Sequence, residues 1–238
     1  MRIGIFGGTF NPIHYGHLRA AEEARERLDL DKILFVPSGN PPLKTSEIAN
    51  ARHRYKMVRL AIVKNRFFDV LDIECSRPGK SYTVNTMETL IKFYRGSKLY
   101  FILGIDTFLD LPNWRQPEKL ISLVNFAMLS RPGSKFIELL SSPYIKIRKN
   151  LLLKLDSNKI ESCETGLGTD KELVLLRIIP MGISSTDIRR RIREGLTIKY
   201  MLPEDIEYYI ISNKLYHTEE GMDHKSAELM EGGDTFKK

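Results

Sequence analysis

Six short runs of mostly apolar residues recur along the chain. None alternates strictly between apolar and polar positions, as a strand with one wet face would, so each predicts a strand that is covered on both faces. The six runs are residues 3–6, 33–36, 67–73, 99–103, 126–129 and 173–179. Glycine or proline follows several of them, as Gly7, Pro37 and Gly104 do, which predicts a turn where the strand ends.

Helical patterns separate these predicted strands. In residues 16–28 the apolar positions recur three or four residues apart and charged residues occupy the other face, which is typical of an amphipathic helix. Four more stretches predict helices: 48–63, 83–94, 185–193 and 204–211. Buried strands that alternate with helices indicate an α/β fold, a doubly wound, mostly parallel and Rossmann-like sheet with helices on both faces. Ligands of such sheets bind at the carboxyl ends of the strands.

The pattern is less regular beyond residue 133. Residues 134–172 mix an apolar, basic piece at 144–155 with a polar piece, and we predict an insertion of uncertain structure within one domain of residues 1–217. The apolar piece is compatible with a core segment or with the interface of a homo-oligomer. Residues 218–238 contain few large apolar side chains and more acidic than basic residues, which predicts a disordered acidic tail.

Composition narrows the class of protein. The chain has 238 residues, of which 42% are hydrophobic and 28% are charged, values typical of a globular domain. We expect neither a membrane span nor a signal peptide, because no apolar run is long enough. The two cysteines are far apart, which fits a reducing cytoplasm and offers no metal-binding spacing. The net charge of +7 is compatible with nucleic acid, an acidic lipid surface or small polyphosphates.

The strongest candidate for chemistry is the string GGTFNPIHYGHL at residues 7–18, between the first predicted strand and the first predicted helix. Its glycines allow backbone N–H groups to approach an anion, and the helix start adds donors and partial positive charge. His14 and His17 are three residues apart, so both imidazoles can face the mouth of the helix. They can donate hydrogen bonds to phosphate oxygens, act as general acid–base groups or bind a metal, but no third metal ligand is near in sequence.

A second string, ISSTDIR at residues 183–189, follows the last predicted strand and opens a helix. Ser184 and Ser185 offer hydroxyls and N–H groups at the helix start, which an ordinary N-cap also provides. Arg189 lies one turn further on, and its fork of donors suits a phosphate.

Weaker candidates lie on loops at other strand ends. Lys44 ends the proline-rich loop PSGNPPLK. Asp106 ends the segment GID after a buried strand, where its carboxylate can accept from a ribose hydroxyl. Thr83 ends the segment SYT at a helix start and can offer a hydroxyl and an N–H. Trp114, the only tryptophan, stands in LPNW, where it can stack on a flat heterocycle or cover the core.

Taken together, these strings resemble the signature of the nucleotidyltransferase superfamily with the His-x-Gly-His motif, and within it the bacterial nicotinate-nucleotide adenylyltransferases. The family carries similar segments in the same order, and the resemblance spans residues 1–132 and 174–216. The family often has His before the loop lysine, where this chain has Leu43. The resemblance implies an enzyme that joins nicotinate mononucleotide to ATP, giving deamido-NAD and pyrophosphate, with Mg²⁺ bridging the phosphates.

The resemblance also implies roles for individual residues. The catalytic residues, which would hold the triphosphate while charge moves onto pyrophosphate, are His14, His17, Lys44 and Arg189. The residues implied in ATP binding are Gly7, Gly8, Thr9, Phe10, His14, His17, Gly104, Asp106, Ile183, Ser184, Ser185 and Arg189. The residues implied in mononucleotide binding are Thr9, Lys44, Thr83, Asp106, Trp114 and Arg131. In the family the tryptophan stacks on the pyridine ring, and the threonine and backbone amides receive its carboxylate.

Two alternatives stay open at this stage. The first is an adenylyltransferase that prefers nicotinamide mononucleotide, because backbone geometry decides between the acid and the amide. The second is a nucleic-acid-binding protein, which the basic stretches at 52–66, 146–154 and 189–199 suggest, although they carry no recognised binding motif. We expect ATP and nicotinate mononucleotide as partners, and neither nucleic acid nor a membrane.

Overall fold

The computed structural model describes residues 1–41 and 48–217, which form a sheet with helices on both faces. Within that part of the chain the sheet has seven strands: β1 (Arg2–Gly8), β2 (Lys32–Pro37), β3 (Phe68–Val70), β4 (Lys98–Gly104), β5 (Asn125–Leu129), β6 (Ser162–Gly166) and β7 (Glu172–Leu176). Their order is β3-β2-β1-β4-β5-β7-β6, and each neighbouring pair is parallel except β6 with β7. The predicted α/β fold with a mostly parallel sheet is confirmed.

The connections between the strands are largely helical. The helices of the described residues are α1 (Tyr15–Arg27), α2 (Ala51–Ile62), α3 (Thr83–Phe93), α4 (Ile105–Leu109), α5 (Pro117–Leu123), α6 (Lys149–Asp156), α7 (Ser185–Arg193) and α8 (Glu204–Ser212), with two 3-10 helices, Leu111–Asn113 and Phe136–Ser141. All five predicted helices are present. The short helices α4, α5 and α6 were not predicted, because each is too brief to show a repeated apolar face.

Alternate residues of the strands supply two apolar layers. On β4, Tyr100 and Ile102 pack into the layer beneath α1, α2, α7 and α8. Their neighbours Phe101 and Leu103 pack into the opposite layer, beneath α3, α5 and α6. Because both faces are covered, successive positions inside a central strand are apolar, which is why these strands read as continuous apolar runs in the sequence.

Residues 134–172, predicted as an insertion of uncertain structure, are ordered. They contain the second 3-10 helix, α6 and β6. Side chains from this stretch are buried in the core, each at most 1% exposed: Phe136, Leu139, Leu152 and Leu155. The apolar piece at 144–155 therefore contributes core. β6 is an antiparallel edge strand whose sequence SCETG has no apolar run, so no pattern predicted it. The predicted tail at 218–238 lies outside the described residues.

β3 is shorter than the strand predicted at 67–73, and that prediction is wrong in its length. Three residues pair with β2, and the Leu71 N–H then donates to the carbonyl oxygen of Phe35 (2.9 Å). The chain turns away at Asp72, whose carbonyl accepts from the N–H of Ser76 (2.9 Å). Asp72 favours this turn over further pairing.

One edge of the sheet collects the loops that carry the predicted site. The carboxyl ends of β1, β2, β4, β5 and β7 all lie there, because these strands are parallel. After β3 at one side of the sheet, the chain passes through α3 to β4, which lies on the other side of β1. The strand order therefore reverses between β1 and β4, and this reversal opens a crevice at that edge.

Candidate active site

The turn between β1 and α1 carries the first predicted motif. Phe10 has a φ of 47°, a region that bulky residues rarely adopt, and its buried ring packs edge-on against Phe6 with 5.9 Å between ring centroids. The peptide between Asn11 and Pro12 is cis. Gly7, Gly8 and Thr9, just before this anchored phenylalanine, remain half-buried at the mouth of the crevice.

His14 and His17 form a stacked pair at the start of α1. Their ring centroids are 3.8 Å apart and the rings are inclined by 34°. His14 is only 4% exposed, and its Nδ1 makes no hydrogen bond within the described residues. Burial, with a smaller contribution from the positive charge of Arg131, lowers the pKa of His14 from 6.5 to about 4. The imidazole is therefore neutral near pH 7 and can still donate one hydrogen bond.

Gly16, the glycine of the His-x-Gly-His motif, leaves room for this stacked pair. A Cβ at position 16 would lie 3.0 Å from Nδ1 and Cε1 of His14 and 3.5 Å from the carbonyl oxygen of Ile183. A side chain there would press on the imidazole from one side and on the segment before α7 from the other. The motif therefore needs glycine for close approach.

The second predicted motif contacts the first. Ser184 is the N-cap of α7, and its Oγ accepts from the N–H of Asp187 (3.1 Å). The Oγ of Ser185 donates to the carbonyl oxygen of Pro12 (2.8 Å), and Nη1 of Arg189 donates to that of Asn11 (2.9 Å). The buried Nε of Arg189 has no hydrogen-bond partner among the described residues. The structure thus brings the two motifs together on the turn that leads to His14.

Asp106 and Arg131 meet across the ends of β4 and β5. Nη1 of Arg131 donates to Oδ2 of Asp106 (3.1 Å), and both side chains are exposed. A Cβ at Gly104 would lie 2.4 Å from Cδ of Arg131 and 2.5 Å from Oδ1 of Asp106, so a side chain there would displace one or both members of the pair. An exposed pair of this kind adds little stability and can open for a ligand.

Thr83 is the first residue of α3, and Tyr82 is its N-cap. The Tyr82 side chain makes no capping hydrogen bond, so no side chain of the cap satisfies the N–H groups of the first turn. The buried Ser81 contacts the loop after β2. Its Oγ accepts from the N–H groups of Gly39 (3.1 Å) and Asn40 (3.2 Å). The predicted mononucleotide segment is thereby tied to the loop after β2.

Trp114 is half-buried beside the same crevice. Its indole Nε1 donates to Oδ2 of Asp110 (3.2 Å), and its ring lies 6.3 Å from that of Phe101, inclined by 57°. Part of the ring covers the core, and the rest is accessible for stacking. Packing on the core is therefore observed, and stacking on a heterocycle stays a prediction.

Arg54, which no sequence pattern marked as a site residue, is 1% exposed and binds three carbonyl oxygens. It donates to the carbonyls of Thr9 (2.7 Å), Gly39 (2.8 Å) and Ala49 (2.8 Å). It therefore fixes the turn after β1 against the loop after β2. A signal was present, since Arg54 stands on the face of α2 that carries Met57 and Val58, which are buried.

Two other residues that brace the same turn were also missed. The Oδ1 of Asn11 accepts from the N–H of Ala49 (3.0 Å) and from the hydroxyl of Tyr216 (2.9 Å). Burial raises the pKa of Tyr216 far above its ordinary value, so it remains a donor. Nothing in the local sequence links residue 216 to residue 11, and no pattern rule could have found this contact.

The remaining predictions concern Lys44, metal binding, membrane spans and the basic stretches. Lys44 lies outside the described residues. Within residues 1–41 and 48–217, no group of three or more His, Cys, Asp or Glu side chains is placed to hold a metal ion. No helix in that part is long and apolar enough to cross a membrane. Of the three basic stretches, 52–66 and 189–199 include α2 and α7 on one face of the sheet, whereas 146–154 includes α6 on the opposite face, so the three do not form one patch.

Comparison with known proteins identifies close relatives. Residues 5–191 match the cytidylyltransferase-like family. A protein of Desulfitobacterium hafniense, named as a probable nicotinate-nucleotide adenylyltransferase, is 40% identical over 219 residues, which are 90% of this chain and 95% of that protein. A protein of the same name from Dictyoglomus turgidum is 39% identical over 225 residues, 94% of this chain and 100% of that one.

Solved structures share the fold. The nicotinic acid mononucleotide adenylyltransferase of Plasmodium falciparum complexed with NaAD superposes with a TM-score of 0.68 at 22% identity, over 90% of this chain and 97% of that one. The same enzyme complexed with APC gives a TM-score of 0.65, also at 22% identity, over 90% and 96% of the two chains. At this identity the likeness establishes the architecture of the sheet and its crossing connections.

Proposed function

The chain belongs to the cytidylyltransferase-like family and, within it, to the nicotinate-nucleotide adenylyltransferases, and from that premise we propose that it transfers AMP from ATP to nicotinate mononucleotide. The observation that carries this proposal is the contact between the two motifs. Arg189 and Ser185 bind the carbonyls of the turn that ends in the His14–His17 pair, so every group proposed for the triphosphate, Lys44 aside, lies around one turn.

The reaction needs alignment more than proton transfer. A phosphate oxygen of the mononucleotide attacks the α-phosphorus of ATP in line, a new P–O bond forms, the bond to the β-phosphate bridge breaks, and pyrophosphate leaves with the electron pair. The attacking phosphate is already largely dianionic near pH 7, because its second pKa is about 6. Catalysis therefore consists of holding two anions in line and stabilising the charge that moves onto pyrophosphate.

His14 and His17 are the proposed donors to the triphosphate at the start of α1. A neutral His14 offers an N–H without placing a charge in a buried position, and a bound triphosphate would raise its pKa again. Arg189 adds a permanent positive charge, with its buried Nε as a further donor, and Lys44 is proposed to add a second charge from the loop after β2. The remaining ATP contacts are proposed for residues at the ends of β1 and β4 and at the start of α7: Gly7, Gly8, Thr9, Phe10, Gly104, Asp106, Ile183, Ser184 and Ser185.

The mononucleotide is proposed to bind between β4, β5 and the start of α3. The exposed part of the Trp114 ring would stack on the pyridine, and the first turn of α3 with the Thr83 hydroxyl would receive its carboxylate. The Asp106–Arg131 pair would open, so that Arg131 meets the phosphate and Asp106 a ribose hydroxyl. Thr9 and Lys44 complete the set from the other side of the crevice.

Mg²⁺ enters this scheme as part of the substrate, MgATP. The described residues do not supply a set of protein ligands for it, and the exposed carboxylate at the crevice, Asp106, is paired with Arg131. The ion would be held by the phosphates and by water, which suits its preference for oxygen ligands and retained waters.

A cytoplasmic location is proposed from the state of the cysteines. Cys75 and Cys163 are both free thiols, which supports a reducing, cytoplasmic location. A homo-oligomer stays a prediction, and light scattering of the purified chain tests it.

Pyrophosphate release with ATP and each mononucleotide tests the function directly. We expect turnover with both, and a higher kcat/KM for nicotinate mononucleotide than for nicotinamide mononucleotide. Preference for the amide would contradict the substrate, and an absence of pyrophosphate with either would contradict the reaction. Retention on DNA that nucleotides do not compete away would favour the nucleic-acid alternative.

A further inference from the structure

One exposed arginine connects the two segments to which the proposed function assigns the pyridine ring. Arg115 follows Trp114 directly in the chain. Its guanidinium carbon lies 4.7 Å from the centroid of the Tyr82 ring, in a cation–π contact. Tyr82 is the N-cap of α3 and stands immediately before Thr83. The contact therefore ties the guanidinium to the residue that caps α3.

The positive charge of Arg115 is not neutralised by its neighbours. Among the described residues it makes neither a hydrogen bond nor an ion pair, and the contact with Tyr82 is an interaction with a ring. The carboxylates nearest to it in sequence, those of Asp110 and Glu118, accept hydrogen bonds from neutral groups and form no ion pair with it. Asp110 accepts from Asn113 (2.8 Å) and from Trp114 (3.2 Å), and Glu118 accepts from the hydroxyl of Tyr144 (3.2 Å).

We propose that Arg115 is a specificity-determining residue, whose charge favours a mononucleotide with a pyridine carboxylate over the neutral amide. The inference rests on the proposed function and adds to it a side chain that acts on one substrate only. Thr83 and the amides of the first turn can donate to a carboxylate or to the oxygen of a carboxamide alike. A guanidinium beside them distinguishes the two by charge.

The test compares kcat/KM for nicotinate and nicotinamide mononucleotide in the parent and in Arg115→Gln. A guanidinium and a ligand carboxylate about 6 Å apart attract enough to change affinity about threefold in the dielectric of water. In about half that dielectric the change is about tenfold. We expect Arg115→Gln to lower kcat/KM for the acid by about three- to tenfold and to leave the value for the amide within about twofold. Arg115→Lys keeps the charge and should retain most of the preference. Added salt should reduce the preference of the parent more than that of Arg115→Gln.

Arg66→Gln is the matched control, because Arg66 is also exposed and stacks on an aromatic ring, that of Phe67, at 4.6 Å. It precedes β3 at the edge of the sheet, away from the crevice, and its loss should change neither substrate. A parent that prefers the acid, with the preference intact in Arg115→Gln, would overturn this inference alone, as would an equal loss for acid and amide. A parent that prefers the amide or turns over neither would overturn the proposed function as well.

Discussion

Burial of His14 makes the free energy of unfolding depend on pH, and the substitution His14→Gln removes that contribution. The folded protein holds the pKa of His14 at about 4, first because the ring is desolvated and then because Arg131 is close. In the unfolded chain the same imidazole titrates near 6.5. As the pH falls below about 6.5, the unfolded chain binds a proton that the folded chain does not, so the folded state loses stability until the pH reaches about 4.

The difference between the two pKa values gives the size of the effect. Full protonation of the unfolded state removes about 3 kcal/mol below pH 4, and about 2 kcal/mol is already lost at pH 5. In His14→Gln this component is absent. We therefore expect the free energy of unfolding of the parent to fall by about 2 kcal/mol more than that of His14→Gln between pH 8 and pH 5.

Urea unfolding at several pH values, followed by circular dichroism, measures this difference. Carboxylates that titrate in the same range are common to both proteins, so they cancel when the two falls are subtracted. His217→Gln is the control, since that histidine is exposed at the end of the described residues, and it should follow the parent. Equal falls in the parent and in His14→Gln, within about 0.5 kcal/mol, would refute a neutral buried His14.

Four further substitutions test individual groups of the site. His14→Ala and His17→Ala each remove a donor to the triphosphate, and we expect kcat for pyrophosphate release to fall by about 10²–10³ with an unchanged circular dichroism spectrum; near-parental turnover would rule out the catalytic assignment. Arg54→Met leaves three carbonyl oxygens without their donor, and urea titration should show a loss of about 3–5 kcal/mol; a loss below about 1 kcal/mol would mean that the clamp is dispensable. Trp114→Ala should raise the KM for the mononucleotide about tenfold and leave that for ATP unchanged, and an equal rise in both would argue against stacking.

Strong local signals in the sequence predicted the parts of the structure that depend on local chemistry. The helix predicted at 185–193 has the bounds of α7, because Ser184 caps it and its apolar positions, Ile188 and Ile192, face the core. The continuous apolar runs predicted the central strands because both faces of the sheet are covered. The crevice at the carboxyl edge followed from the parallel order alone.

Features that depend on distant contacts could not be predicted from sequence patterns. β6 has no apolar run, since an edge strand pairs through its backbone and exposes alternate side chains. Arg54 has the composition of a surface residue and is buried only because carbonyl oxygens from three segments surround it. The orientation of Arg115 over Tyr82 depends on how the start of α3 meets the loop after β4, which sequence spacing does not define.

The turn at Asn11 has a consequence for how the chain matures during synthesis. Its carbonyl is bound by a residue 178 positions later, and its side chain by one 205 positions later. At a translation rate of about 5–20 residues per second, roughly 10–40 s pass between the synthesis of Asn11 and that of the last of these partners. A chain that stops short of residue 216 contains both histidines but not all of the contacts that hold them. Truncation before residue 216 would therefore leave the turn at Asn11 without one of the hydrogen bonds that brace it.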